Sequence, residues 1–280
     1  MARTVIVTGA AGFLGKAVVR RLKKDGYLVL PLDRVKTGET KEIIIDLADK
    51  DLFANLSKLP KADAIVHLAA VVAFEDKENN LFVPNVIATA ELARWAKDLG
   101  AYFIFASSIT VHGVKTALID RSTGINPDTA YARSKWLGEE LVRAAGLDHL
   151  ILRISGIYGQ NGPAHLGLNR AIDQALRGKA PTLVGAGEAK RNYVYVNDLA
   201  AMIADAVGRK ITGTHLAAGP EPVTIADLLK DICAILLPGQ DPIRQKGETG
   251  ADQIIEPSPE LLAGRSFRQA LEEIKGGVAA

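Results

Sequence analysis

The sequence has a single cysteine, Cys233, among its 280 residues. It therefore carries no disulfide framework, and a zinc cluster built on cysteines is excluded. Cys233 lies inside the apolar run Ala226–Leu237 and reads as a small buried hydrophobe rather than a nucleophile. No apolar run approaches the length of a membrane span, and the first strand begins almost at Met1, which leaves no room for a signal peptide. These absences lead to the expectation of a cytoplasmic protein that does not engage a membrane. No excess of one charge is present either: the formal net charge is +2 and the basic residues are scattered, so no nucleic-acid footprint appears. The basic pairs Arg20-Arg21 and Lys23-Lys24 read as the solvated face of a helix. Internal repeats and low-complexity segments are lacking as well. What remains, 48% hydrophobic and 24% charged residues, is the composition of a soluble globular chain long enough for one large domain or a domain with an appended lobe.

What is present is glycine in a telling place. The stretch Thr8-Gly9-Ala10-Ala11-Gly12-Phe13-Leu14-Gly15 follows the apolar β-branched run Thr4–Val7 and opens into Lys16–Lys24, where Val18, Val19 and Leu22 keep helical spacing. A strand, three spaced glycines and a helix form the context of a dinucleotide-binding turn. The glycines let the backbone approach a pyrophosphate, and the helix N-terminus offers it free N–H groups and a positive dipole end. The second strand, Tyr27–Asp33, ends in an acid about 20 residues beyond the glycines, where the ribose hydroxyls of the adenosine are gripped. Asp33 favours NAD over NADP, because a carboxylate accepts from a 2′-hydroxyl and repels a 2′-phosphate; Arg34 beside it pulls the other way.

The rest of the chain alternates strand and helix. Further strands are expected at Glu42–Asp46, Asp63–His67, Ala101–Ala106 and Leu150–Ile154, with helices over about Asn80–Leu99 and Thr129–Ala145. Near-continuous apolar strands in this alternation predict an α/β fold with a doubly wound parallel sheet of Rossmann type. Beyond Gly159 glycine and proline break the regularity. The expected division is a dinucleotide-binding domain over residues 1–160, with segments near 190–210 returning to it, and a smaller substrate-binding lobe over 161–280. Pro238–Pro259 reads as a loop with one strand, Ser266–Ile274 as a last amphipathic piece, and Gly276–Ala280 as a frayed end.

Three residues argue for an enzyme. Tyr131 and Lys135, in Tyr-Ala-Arg-Ser-Lys, lie at i and i+4 on one helix face, and Ser108 ends the fifth strand at the sheet edge where ligands bind. A phenol titrating near 10 is a poor base at neutral pH; an ammonium about 4–6 Å away, together with the positive nicotinamide, would favour the phenolate and lower it by roughly one to three units. Ser108 would hold the substrate oxygen while Tyr131 takes its proton.

With these pieces in place the chain resembles the extended short-chain dehydrogenase/reductases, of the NAD-dependent epimerase/dehydratase group. The resemblance runs from Thr4 to about Ile235. Besides the glycine turn it rests on Asp46-Leu47, His67-Leu68-Ala69-Ala70, Asn85, Ser107-Ser108, Tyr131 and Lys135, Leu152-Arg153, Tyr158-Gly159 and Arg191–Asp198. It implies Ser108, Tyr131 and Lys135 as the catalytic set and NAD as the cofactor. It also implies adenine contacts from Asp46 and Leu47, cofactor contacts from Leu68, Ala69, Ala70, Asn85, Tyr131 and Lys135, and Asn85 supporting the site from the neighbouring helix. Members of the group often dimerise through the two helices expected at 80–99 and 129–145, where Trp95 and Trp136 could supply apolar surface. A homodimer is therefore expected.

Three departures bear on the substrate. Ile109 and Thr110 stand where dehydratases of the group carry an acidic pair, which argues against dehydration. Gly156 stands where sugar-nucleotide enzymes often carry a substrate-binding Asn, and His112 where they usually carry a Tyr; His112 is either a substrate contact or a structural replacement. Arg191 matches the residue that grips a nucleotide diphosphate, or else it pairs with a nearby carboxylate such as Asp198 or Glu188. Three readings stay open: a nucleoside-diphosphate-sugar epimerase, a dehydrogenase or reductase of a non-nucleotide sugar or secondary alcohol, and a catalytically silent cofactor-binding regulator. No metal is expected in any of them.

Overall fold

The computed structural model describes residues 2–72 and 81–278. The proposed start of a helix at Asn80 and the last two residues of the frayed end lie outside them. Seven parallel strands make one sheet: β1 (Thr4–Thr8), β2 (Leu28–Asp33), β3 (Ile43–Ile44), β4 (Ala64–His67), β5 (Tyr102–Ser108), β6 (His149–Ile154) and β7 (Gly213–Ala217). Their spatial order is β7-β6-β5-β4-β1-β2-β3. The chain winds outward from β1 to β3, returns to β4 beside β1, and winds the other way, so the C-terminal ends of β1 and β4 flank the switch point where open α/β sheets bind ligands.

Strand periodicity explains why both faces are covered. Along β1, Val5 and Val7 enter one core layer and Ile6 the other; along β5, Tyr102, Ile104 and Ala106 face the first while Phe103 and Phe105 face the second. The first layer is closed by α1 (Phe13–Lys24) and α6 (Val196–Arg209), and the second by α2 (Leu52–Leu56) and α3 (Ala88–Leu99). Helix α4 (Ala130–Ala144) packs against α3, β5 and β6. Trp95 is 3% exposed within the second layer, so it is core and not free surface; Trp136 is half-buried.

Several features depart from expectation. The seventh strand, Gly213–Ala217, pairs with β6 through Gly213↔Leu150 to Ala217↔Ile154. Together with α6, which packs on α1, it extends the segment returning to the sheet beyond 210. The third strand shortens to two residues, and the helix before β5 starts with a single π-type turn, Val83–Ile87, that includes Pro84. The remaining chain adds α5 (Gly167–Leu176), α7 (Ile225–Leu236) and α8 (Phe267–Val278), packed α5 on α7 on α8. Helix α8 runs on through Gly276 and Gly277, which were expected to fray. Within 238–259 there are two short strands: Ile243–Gln245 pairs with Thr182–Val184, and Ile254–Ile255 with Leu118–Ile119. Cys233 is buried in α7, and burial pushes its thiol up. No helix among the described residues is long and apolar enough to cross a membrane.

Candidate active site

The glycine turn is built by close approach. Gly9 has φ +69°, and a Cβ there would stand 2.7 Å from the Ala69 backbone nitrogen. At Gly15 a Cβ would stand 2.0 Å from the Gly9 carbonyl oxygen, so only glycine lets α1 seat under the turn. Asp33, at the end of β2, accepts from the Ala11 N–H at 2.9 Å and from the Val35 N–H at 3.3 Å. The carboxylate thus props the glycine turn, a role its spacing did not disclose.

Between the ends of β1, β2 and β4 lies a cleft of about 870 Å³. Of the residues expected to hold a cofactor, Gly9, Gly12, Asp33, Arg34, Asp46, Leu47, Leu68, Ala69 and Ala70 line it. Val71, Val83 and Pro84 were not foreseen and line it too; the proline in the π-type turn was the signal available. Phe13, Leu14 and Gly15 do not line the cleft; Phe13 and Leu14 pack against the core beneath it.

Asn85 departs from its expected cofactor contact. It is 1% exposed, its Oδ1 accepts from the Val71 N–H at 2.8 Å, and its amide donates to the Val71 carbonyl at 2.9 Å and to Ser134 Oγ at 3.0 Å. Asn85 therefore fixes Val71 and ties the cleft wall to α4. A second buried polar link runs beside it. Thr89 donates to the Asn85 carbonyl, so His67 Nε2–H donates to Thr89 Oγ1 at 3.0 Å and His67 Nδ1 accepts from Thr8 Oγ1 at 2.7 Å. Burial, with Lys135 nearby, holds His67 neutral and its pKa down at about 3.

On α4, Lys135 is 2% exposed, with its ammonium 4.8 Å from the Phe105 ring centre. Among the described residues no carboxylate lies within ion-pair distance of it. Burial lowers its pKa to about 7, although Glu139 pulls it up. Tyr131, one turn earlier, is half-buried, and burial pushes its phenol up to about 12. The expected lowering draws on the positive nicotinamide as well as on the ammonium; without that charge, burial alone sets the phenol. Ser108 caps the short 3₁₀ turn Ile109–His112, its Oγ accepting from the Thr110 N–H at 3.2 Å and from Thr110 Oγ1 at 2.9 Å. With both acceptor sites taken, its own proton is free to be donated. Helix α4, which bears Tyr131 and Lys135, packs on this turn and on β5, which ends in Ser108.

The expected substrate contacts fare differently. His112 is 1% exposed; its Nδ1–H donates to the Gly124 carbonyl at 3.0 Å, and its Nε2 accepts from Arg153 Nη1 at 3.2 Å. Both ring nitrogens are taken, so His112 is structural rather than a substrate contact. Arg191 pairs with neither Asp198 nor Glu188: its Nη1 donates to the carbonyls of Lys190, at 2.8 Å, and Ala251, at 2.5 Å. Asp198 is held instead by Arg265, at 2.8 Å. A Cβ at Gly156 would stand 2.5 Å from the Tyr193 ring, so that ring occupies the space a side chain at 156 would need.

A seven-stranded parallel sheet with a glycine cradle at its switch point, and a buried Lys one turn from a Tyr at its edge, defines the class: a dinucleotide-binding α/β enzyme. More narrowly, the chain belongs to the NAD dependent epimerase/dehydratase family, whose sequence model matches residues 5–219. A UDP-glucose 4-epimerase of Mycolicibacterium smegmatis is 29% identical over 220 residues, covering 69% of this chain and 70% of that one. In fold, the chain is similar to UDP-N-acetylglucosamine 4-epimerase from Bacillus cereus (TM-score 0.87, 24% identity, all of both chains). It is also similar to the UDP-glucuronic acid 4-epimerase from Bacillus cereus solved in complex with NAD (TM-score 0.80, 23% identity, 96% of each chain).

Proposed function

We propose that this protein is an NAD-dependent epimerase of a nucleoside-diphosphate sugar, working in the cytoplasm as a homodimer, with Ser108, Tyr131 and Lys135 as its catalytic set. The observation that carries the reading is Lys135. A buried amine without a carboxylate partner of its own, one turn from Tyr131 and beside a dinucleotide-sized cleft, is costly unless the charge is used.

The residues present fit NAD. Gly9, Gly12 and the first turn of α1 would cradle the pyrophosphate, Gly9 and Gly12 lining the cleft and the helix N-terminus offering free N–H groups. Asp33 would accept from the adenosine ribose and disfavour a 2′-phosphate. Asp46 and Leu47 would meet the adenine, with Leu68, Ala69 and Ala70 along the opposite wall. When bound, NAD supplies a reversible hydride acceptor. The chain's own residues handle the proton. Ser108 donates to the substrate oxygen, Tyr131 takes the hydroxyl proton as a ketone forms and returns it to that same oxygen once the turned ketone is reduced on its other face, and protonated Lys135 stabilises the phenolate. Desolvation alone leaves that phenol at about 12, so the base depends on positive charge beside it.

Relatives named as UDP-sugar 4-epimerases support the nucleotide-sugar substrate, as does the Arg191 match. The Tyr193 ring against Gly156 favours the second reading, a dehydrogenase or reductase whose substrate has no nucleotide handle. Retention of Ser108, Tyr131 and Lys135 speaks against a silent regulator. The deciding experiment measures nicotinamide released by acid quench from the purified protein, then turnover on UDP-, GDP- and dTDP-sugars. Stoichiometric NAD and epimer formation are expected. An empty site that binds NAD reversibly, with turnover only on free sugars or secondary alcohols, would establish the second reading instead.

A further inference from the structure

Beneath the proposed catalytic set lies a buried carboxylate that its chemistry does not use. Glu139, on α4 one turn beyond Lys135, is 0% exposed. Its Oε1 accepts from Ser107 Oγ at 2.5 Å and from Arg153 Nε at 3.0 Å, and its Oε2 from Arg153 Nη2 at 2.7 Å and Arg143 Nη2 at 2.8 Å. A carboxylate so fully paired is held ionised, below the usual range, in spite of its burial. Its partners come from the residue next to Ser108 on β5, from β6, and from α4 itself. Through Arg153 the link continues to His112 and the Gly124 carbonyl. The helix can come this near because Gly138 has no side chain: a Cβ there would stand 2.7 Å from the Phe105 ring, the same ring over which the Lys135 ammonium sits.

We infer that Glu139 is a positioning residue for the reaction: it locks the Tyr131–Lys135 helix to the strand that ends in Ser108 and keeps Lys135 charged. The inference rests on the assignment of those three residues above. Hydrophobic residues would fill this space as stably as a buried ion pair, so stability alone does not account for it. Among the described residues, the groups facing Lys135 leave Glu139 as its source of negative charge. On β4 stands His67, held neutral; on β5 the Phe105 ring; on α4 Tyr131, whose phenol is protonated; and Arg153 of β6 reaches the region through Glu139.

The test is the titration of Lys135 in the full-length protein, read by NMR of ¹³C-labelled lysine and assigned by its loss in Lys135→Met. Glu139→Gln is expected to lower the midpoint by about one pH unit. Arg143→Gln, a change at a side chain one-third exposed, leaves the Glu139 charge less compensated and is expected to raise it. Unchanged midpoints overturn the inference, and the rim variant decides it if Glu139→Gln does not fold. In turnover, a one-unit fall takes the ammonium at pH 7 from about half to about a tenth. The kcat of Glu139→Gln should then fall about fivefold and recover toward pH 6, with KM unchanged. A raised KM with unchanged kcat would also overturn it. Absence of wild-type turnover on nucleotide sugars would sink the proposed function, while the titration would still decide the role of Glu139.

Discussion

At the scale of single residues, Asp33 and Lys135 carry two linked duties, and both lend themselves to measurement. Asp33→Ala removes the acceptor of the Ala11 N–H as well as the ribose grip. NAD affinity is expected to fall roughly 10- to 100-fold, the worth of hydrogen bonds to a charged group, with NADP losing less. Calorimetric titration with both cofactors checks this, and an unchanged NAD/NADP ratio would assign the preference to Arg34. Lys135 makes stability depend on pH. Its pKa falls from 10.5 in the unfolded chain to about 7 in the folded one, so between these values the unfolded state binds more protons. Stability from this group therefore rises as pH rises from 7 toward 10.5 and is lowest below 7. Lys135→Met should abolish that slope and stabilise the protein below pH 7 by a few kcal/mol while removing activity. Denaturant unfolding of both proteins at pH 6.5 and 9.5 measures it; equal slopes would show that Lys135 does not titrate in this range. The proposed set of Ser108, Tyr131 and Lys135 is legible in the sequence because Tyr131 and Lys135 keep a helical spacing and Ser108 ends an apolar strand. The Arg153 partner of His112, the Ala11 contact of Asp33 and the burial of Glu139 are not, since each depends on residues far apart in sequence.

At the scale of elements, the glycine turn shows what spacing can and cannot tell. Gly9, Gly12 and Gly15 announced the turn between β1 and α1, and strand periodicity announced six of the seven strands. The seventh, Gly213–Ala217, is as long as β1 but begins Gly-Thr-His and so lacks its apolar run; it pairs with the edge of β6. The π-type turn before α3 likewise answers to tertiary demand, since Asn85 must reach both Val71 and Ser134. The three glycines differ in tolerance. A Cβ at Gly12 would stand 3.1 Å from the Gly9 oxygen, a contact that small shifts relieve, whereas at Gly15 it would meet the same oxygen at 2.0 Å. Gly15→Ala should push α1 off the turn, destabilise the fold by about 1–3 kcal/mol or more, and weaken NAD binding; Gly12→Ala should cost less on both counts. Thermal unfolding with and without NAD compares them, and equal effects would mean that the α1–turn contact is not what the glycines protect.

At the scale of the whole molecule, the two halves of the chain are interlocked: α6 and β7 return to the sheet from the far side of the lobe, and Ile254–Ile255 reaches back to pair with Leu118–Ile119. The substrate side is thus shaped by segments distant in sequence, which is why no residue there names a substrate. Association is argued from what the helices α3 and α4 leave uncovered. Trp95 is core, which removes one of the two aromatic residues expected at an interface, but Leu137 (37%) on α4 and Ile87 (43%) in the π-type turn that leads into α3 remain exposed, with Phe82 (54%) just before that turn. Apolar side chains of this size, kept in solvent on two adjacent helical segments, fit a face that a second copy covers. Multi-angle light scattering at micromolar concentration should give twice the chain mass, and Leu137→Glu should shift it toward the monomer by placing an unpaired charge in the interface. A monomer in the unaltered protein would leave these side chains as isolated surface hydrophobes and place the whole reaction within one chain.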